Sequence, residues 1–241
     1  MKRLFDFLFS LVGLLFIAPL LLPVIVLIWL QDFHTPFYIA PRVGRNGRQF
    51  NMVKLRSMVI NADKTGVDST SASDSRITTV GRFVRRFKLD ELMQLWNVIL
   101  GDMSLVGPRP NVKSETDLYT LHEKKLLTVR PGITDFSSIV FSDEGDILEN
   151  MEDPDIAYNQ LIRPWKSRLG LFYIENQSII LDFKLILITI IAIVSRKRAL
   201  QLIVSELTKK EASDEIIAVS MRNSELIAYP PPGADTIVTS R

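Results

Sequence analysis

The chain has 241 residues, 47% of them hydrophobic, enough for one core with accessory segments. Its 29 Lys and Arg nearly balance 27 Asp and Glu, for a net charge of +2, which speaks against a dedicated nucleic-acid binder. With no Cys, disulfides and thiolate metal sites are excluded, and with only His34 and His122 any metal must be held by oxygen ligands.

Charge is even along the chain, but hydrophobicity is not. Residues 4–30 are almost wholly apolar, interrupted by Asp6 and Ser10. Roughly 20 apolar residues suffice to cross a bilayer. The run is too long for a signal peptide, and no small-x-small cleavage pattern follows before Asp32, so the segment is expected to be retained. Pro19 and Pro23 each remove a helical hydrogen bond and predict a kink or break near the middle. Such a helix either spans with a kink or turns back to the face it entered. Lys2 and Arg3 precede it, and Arg42, Arg45, Arg48, Lys54 and Arg56 follow. Positive charge favours the cytoplasmic side, here at both ends, which favours the hairpin.

A turn-rich connection over 36–47 leads to residues 49–58, whose alternation predicts a strand. Residues 63–75, rich in Asp, Ser, Thr and Gly, read as a loop. Residues 82–100 make the clearest amphipathic helix: Leu89, Leu92, Met93, Trp96, Ile99 and Leu100 recur at helical spacing, and Gly101 stands where a helix stops. A rigid Gly107-Pro108-Arg109-Pro110 follows, then a polar helical stretch over 113–127 and an Arg130-Pro131-Gly132 turn. Residues 182–194 are hydrophobic but too short to span, as expected of a core or interfacial helix. From about Leu207 the periodicity fades, and the run Tyr229-Pro230-Pro231-Pro232-Gly233 marks a tail expected to be partly disordered.

Acids in the first turn of a helix complement its dipole, the plainest reading of Asp90 and Glu91. Neighbours on a helix diverge by roughly 100°, so the two carboxylates are no symmetric dyad, although one can attack while the other holds a cation. Arg82, Arg85, Arg86 and Lys88 precede them. These cations either contact anionic headgroups or, with Arg109 between its prolines, line a pocket for a diphosphate. No Walker-type or Gly-x-Gly-x-x-Gly loop is present. Spacing alone leaves both pairs of readings open.

Residues 81–110, from Gly81 through Leu89-Asp90-Glu91-Leu92 and Gly101-Asp102-Met103-Ser104 to Gly107-Pro108-Arg109-Pro110, closely resemble the signature of the bacterial sugar transferases, the monotopic polyprenyl-phosphate phosphoglycosyl transferases. Arg42-Val43-Gly44-Arg45-Asn46-Gly47, Lys54-Leu55-Arg56-Ser57-Met58, Arg130-Pro131-Gly132-Ile133-Thr134 and Tyr173-Ile174-Glu175-Asn176 support the likeness, which runs from Lys2 to roughly Arg198. The resemblance implies an α+β, mostly helical monotopic membrane protein. Its parts would be a re-entrant membrane helix hairpin over 1–33, a small cytoplasmic catalytic domain with amphipathic interfacial helices over 34–198, and a partly disordered extension over 199–241. The implied location is the bacterial inner membrane, with the active site on its cytoplasmic face.

By the same resemblance Asp90 is the nucleophile toward the β-phosphate of a nucleoside diphosphate sugar, usually a UDP-sugar. The sugar phosphate passes through an aspartyl intermediate to polyprenyl phosphate, and Glu91 helps bind Mg²⁺. Lys54, Arg56, Arg85 and Arg109 match positions tied to phosphate binding or to the architecture of the site. The expected partners are the nucleotide sugar, the lipid and the membrane, with no nucleic acid and homo-oligomerisation left open. Ala18-Pro19 stands where Ser-Pro is usual, Lys88 and Met93 where Ser and Pro are usual, and Leu55 where Phe is. Residues 135–162, with Asp143, Glu144 and Asp146, depart from the minimal pattern and read as a loop that helps choose the sugar. The rival readings are an inactive membrane scaffold of a glycan-assembly complex and a basic module for anionic lipid.

Overall fold

The N-terminal apolar run folds as α1 (Lys2–Leu30), one helix of 29 residues with Pro19 and Pro23 inside it. The structure is a computed structural model that describes residues 1–62, 74–149 and 151–239; most of the loop expected over 63–75 lies outside the described residues. The two arms of the expected hairpin are not separate elements. Each proline forfeits its own hydrogen bond while the flanking turns keep theirs, so helical geometry continues through both. By length and composition α1 is able to cross a membrane. One face buries Leu21, Val24 and Ile28 against Leu55, Val84 and Leu89, while Val12, Leu15, Phe16 and Leu20 stay exposed.

Both ends of α1 are held by the same folded body. Lys2 Nζ lies 2.5 Å from Asp182 Oδ2, and Arg3 donates to the carbonyls of Val98 and Ile99. At the other end Arg56 grips Asp32 with Nη1–Oδ2 and Nη2–Oδ1 distances of 2.5 and 2.6 Å.

β1 (Phe37–Val43) and β2 (Gln49–Leu55) form an antiparallel hairpin in which Val43 pairs Gln49 and Phe37 pairs Leu55. Its turn uses the left-handed backbone of Asn46 and Gly47, at φ 59° and 75°. The strand expected over 49–58 ends at Leu55, and Met58 makes only an isolated bridge to Ile77.

The helix expected over 82–100 is three: α2 (Thr79–Arg86), α3 (Leu89–Leu92) and α4 (Gln94–Leu100). Lys88, left-handed at φ 55°, makes the first break. Val84 and Leu89 are five positions apart, roughly 140° around a straight helix, yet both bury in the cluster under α1. The break turns them to one side. The Thr78 side chain caps α2 by accepting from Gly81 N, and Gly81 itself sits so close to β2's end that a Cβ would lie 1.9 Å from the Ser57 carbonyl oxygen. Gly101, at φ 96°, ends α4 as expected.

β3 (Ser104–Val106) runs parallel to β4 (Gly132–Thr134), so that the Gly-Pro-Arg-Pro and Arg-Pro-Gly segments lie side by side. A Cβ on Gly132 would fall 2.1 Å from the Gly107 nitrogen, an approach only glycine permits. The polar helix expected over 113–127 is α5 (Lys113–Asp117) and, separately, a 3₁₀ turn at Glu123–Thr128. Thr120 and Glu123 restart the chain by bonding each other's backbone N–H reciprocally.

α6 (Phe136–Val140), α7 (Glu144–Ile147), α8 (Pro154–Ala157) and a π turn at Tyr158–Ile162 lead into α9 (Arg163–Glu175). α10 (Ile179–Val194), capped by Ser178, is the predicted hydrophobic helix, begun three residues before 182. Its inner Leu181, Leu185 and Ile188 join Phe136, Leu169 and Tyr173 in the main core, while Ile180, Phe183, Leu187 and Ile190 are exposed. α11 (Arg196–Lys209) follows, and beyond Leu207, where periodicity fades, the chain still forms α12 (Asp214–Met221). Beyond them Tyr229 stacks on Trp165 at 4.6 Å, and Arg168 donates to the Pro230 carbonyl.

Candidate active site

Three elements converge on one cluster of charge. β2 supplies Lys54, α3 supplies Asp90 and Glu91, and the segment after β3 supplies Arg109. Arg109 Nη2 lies 2.5 Å from Glu91 Oε1, and Lys54 Nζ lies 3.9 Å from the same oxygen. Asp90 is treated differently. Its Oδ1 is buried and accepts no hydrogen bond among the described residues. The left-handed Lys88 starts α3 so that Leu89 points into the core, which sets Asp90 and Glu91 at the site.

The two neighbours titrate in opposite directions. Burial pushes the Asp90 carboxyl above the usual carboxylate range, against the pull of Lys54. Burial also works to raise Glu91, but Arg109 and Lys54 outweigh it and hold that carboxyl at about 2. Lys54 is itself lowered, by burial and then by Arg109. Pairs of titratable groups whose environments drive them apart are the mark of divided chemical labour.

The other expected site residues divide. Arg85 donates from Nε to Ser57 Oγ at 2.9 Å and lies within electrostatic reach of Asp90, so it borders the cluster. Arg56 does not join it: its guanidinium is spent on Asp32 and on the end of α1. A strand alternates faces, so Lys54 and Arg56 are expected on the same side; the β2 register ends at Leu55 and frees Arg56 to turn toward the helix. Asp32, Tyr158 and Lys166 were not singled out by motif. Lys166 pairs with Glu144, whose carboxylate is within electrostatic reach of Arg109 and Lys88.

Among the described residues no three His, Asp or Glu side chains gather into a ready cation cage. Magnesium is typically held by one or two carboxylates and completed by substrate phosphates and water. The hard oxygen donors of Asp90 and Glu91 fit a cation that arrives with a diphosphate, and Asp90 Oδ1 has no hydrogen-bond partner among the described residues.

Comparison with known proteins follows the same outline. The chain is 41% identical over 152 residues to a UDP-galactose-lipid carrier transferase of Erwinia amylovora, covering 56% of this chain and 31% of that one. It is 39% identical over 196 residues to an undecaprenyl-phosphate glucose phosphotransferase of Komagataeibacter xylinus, 78% of this chain and 35% of the other. Against the exopolysaccharide production protein ExoY of Sinorhizobium fredii it is 31% identical over 207 residues, 80% and 84% of the two chains. It thus spans about a third of the length of the first two relatives. The sequence model of the bacterial sugar transferases matches residues 1–196, and the chain belongs to that family.

Proposed function

We propose that the protein is a phosphoglycosyl transferase that moves a sugar 1-phosphate from a UDP-sugar to undecaprenyl phosphate, through a covalent aspartyl intermediate, at the start of surface glycan assembly. The observation that carries this reading is the asymmetry of the acid pair: Glu91 is bound to Arg109 while Asp90 keeps a buried oxygen without a partner among the described residues. The names of the relatives, two of which specify a lipid carrier or undecaprenyl phosphate, support it.

The reaction is two displacements at one phosphorus. An Asp90 carboxylate oxygen attacks the β-phosphorus, the bond to the bridging oxygen breaks, and the nucleoside monophosphate leaves with that electron pair. A lipid phosphate oxygen then attacks the same phosphorus and the Asp90 carboxylate departs, giving the polyprenyl diphosphate sugar. A carboxylate attacking an anionic phosphate must have its repulsion offset. Arg109 and Lys54 are placed to neutralise phosphate oxygens, and Arg85 stands behind them. Glu91 keeps these two cations oriented at the phosphate position. Mg²⁺, held by Glu91 and Asp90, would supply further charge neutralisation.

The acceptor's phosphate lies at headgroup depth, so the site belongs at a membrane surface. Lys2–Asp182 and Asp32–Arg56 hold the two ends of α1 to one folded body, which supports entry and exit at one face, the cytoplasmic one of the inner membrane by the positive-inside rule. Exposed Phe83, Phe87, Trp96, Leu100 and the outer face of α10 are suited to lie in that interface.

The test is release of UMP from UDP-sugars by the purified, membrane-reconstituted protein with undecaprenyl phosphate and Mg²⁺. Lipid-dependent release is the expected result. No release with any of UDP-glucose, UDP-galactose and their N-acetylamino counterparts would overturn the reading and leave an inactive scaffold.

A further inference from the structure

Lys54 neutralises a phosphate only from one place, so whatever fixes its strand bears on the reaction. Its Nζ lies 3.9 Å from Glu91 Oε1, beyond hydrogen-bond reach, and that contact alone does not hold it. β2 has β1 on one edge and, among the described residues, no strand on the other. Such an edge presents a row of unpaired N–H and C=O groups. A slip of one residue would carry Lys54 about 3.3 Å and turn it to the opposite face.

One side chain of α4 closes that edge. Asn97 Oδ1 accepts from Val53 N at 2.9 Å, and Asn97 Nδ2 donates to the Asn51 carbonyl at 2.8 Å. The amide thus meets β2 on either side of Met52, as the peptide of a neighbouring strand would, and Val53 is the residue before Lys54. Asn97 is 1% exposed, so both bonds form away from water. Met52 buries with Leu95 and Val98 of α4, and strand alternation puts Lys54 on the same face as Met52. The amide is itself held firmly. The Asn97 carbonyl accepts from Gly101 N at 3.1 Å, Asp102 N at 3.0 Å and Met103 N at 3.3 Å. Upstream, only Met93, in right-handed helical geometry, separates α4 from α3, and Trp96 N reaches back to the Met93 carbonyl. The Asn97 amide and the Glu91 carboxylate therefore ride on one nearly continuous length of helix.

We infer that Asn97 is a positioning residue for the transfer: its amide registers β2 against the α3–α4 helices and so sets Lys54 opposite Glu91, where the donor's phosphate is received. The inference rests on the proposed transfer reaction. Asn97 touches neither substrate nor the reacting atoms, and it acts through Lys54. A misplacement of about 1 Å at a group that orients substrate is enough to cost a large factor in rate. Two residues that act through one contact also have effects that fail to multiply, whereas independent sites multiply.

The experiment is a double-mutant cycle on kcat/KM for UMP release by the full chain in membranes. It supplies undecaprenyl phosphate, Mg²⁺ and whichever of UDP-glucose, UDP-galactose and their N-acetylamino counterparts the wild type uses best. Asn97→Leu removes both bonds at similar volume. It is expected to lower kcat/KM by about tenfold or more in the wild-type background, and by less than about twofold where Lys54 is already replaced by Met. Asn97→Ser, which keeps a hydroxyl at the edge, is expected to show the same pattern with a smaller factor. Hydrogen exchange at the Val53 amide is expected to quicken in both. Arg163→Met, a buried change that shares no partner with Lys54, serves as the control and should act by one factor in both backgrounds. Thermal melting checks that each variant folds. An Asn97→Leu factor that is the same with and without Lys54 assigns Asn97 to the fold alone and overturns the inference. An unchanged kcat/KM in the folded Asn97→Leu protein, or failure of both Asn97 variants to fold, overturns it equally; each of these results leaves the transfer reaction intact. A wild type inert toward every donor overturns the transfer reaction itself, and the inference falls with it.

Discussion

Glu91 Oε1 is shared by Arg109 at 2.5 Å and Lys54 at 3.9 Å, and this sharing separates the adjacent acids into a charge-holding and a free carboxylate. Arg109 is the member that also faces the substrate phosphate in the proposed reaction. Arg109→Lys keeps the charge but loses the planar fork that grips carboxylate and phosphate together. The expected result is a fall of about 100-fold in kcat/KM, read as UMP release, with little change in thermal stability.

The pH profile carries a sign. Attack needs ionised Asp90, whose pKa burial raises above the ordinary 3.8, with Lys54, Glu91, Arg85 and Arg109 as the charged groups facing it. The acid limb of kcat/KM should therefore lie above 3.8, with activity lost as pH falls through it. Lys54 lowers this pKa and Glu91 raises it. Lys54→Met should then move the limb to higher pH and Glu91→Gln to lower pH. Movement of both in one direction would contradict the electrostatic account.

A buried ion pair predicts stability. Arg163 Nη2 and Glu123 Oε2 lie 2.6 Å apart, Ser167 and Asn159 complete their hydrogen bonds, and neither charged side chain is more than 3% exposed. Removing one partner of such a pair strands the other charge, at a cost of about 3–5 kcal/mol. Arg163→Met should lower the unfolding midpoint in denaturant accordingly.

The topology of α1 is open to labelling, because the chain has no native Cys. Single cysteines, one inserted directly after Met1 and one placed at Arg45, should react with a membrane-impermeant reagent from the same side. Reaction from opposite sides would mean that α1 spans.

What was legible locally was carried by compact runs. The apolar stretch showed α1, and residues 81–110 brought Asp90, Glu91 and Arg109 into view together. The break at Lys88 was not legible, because no Gly or Pro marks it and the residues from Leu89 onward keep a helical spacing; only the burial of Val84 and Leu89 in one cluster demands the turn. The partner of Arg56 was hidden for a related reason. Strand alternation puts it beside Lys54, whereas its partner Asp32 lies 24 residues earlier. Contacts between distant segments, such as Arg222 with Asp143 across 79 residues, leave no periodicity to read. The tail, whose composition suggests little packing, is joined to α9 by Tyr229 on Trp165 and Arg168 and by the Pro230 carbonyl, contacts between segments about 60 residues apart that no local pattern announces.

The central claim is that Asp90 is the nucleophile. The most direct measurement incubates the purified protein with a UDP-sugar and Mg²⁺ in the absence of lipid, then determines the intact mass and maps the adduct. The account predicts one sugar phosphate bound to Asp90 in the wild type, discharged on adding undecaprenyl phosphate, and no adduct in Asp90→Asn. An Asp90→Asn protein that forms the adduct, or that releases UMP at the wild-type rate, would contradict it.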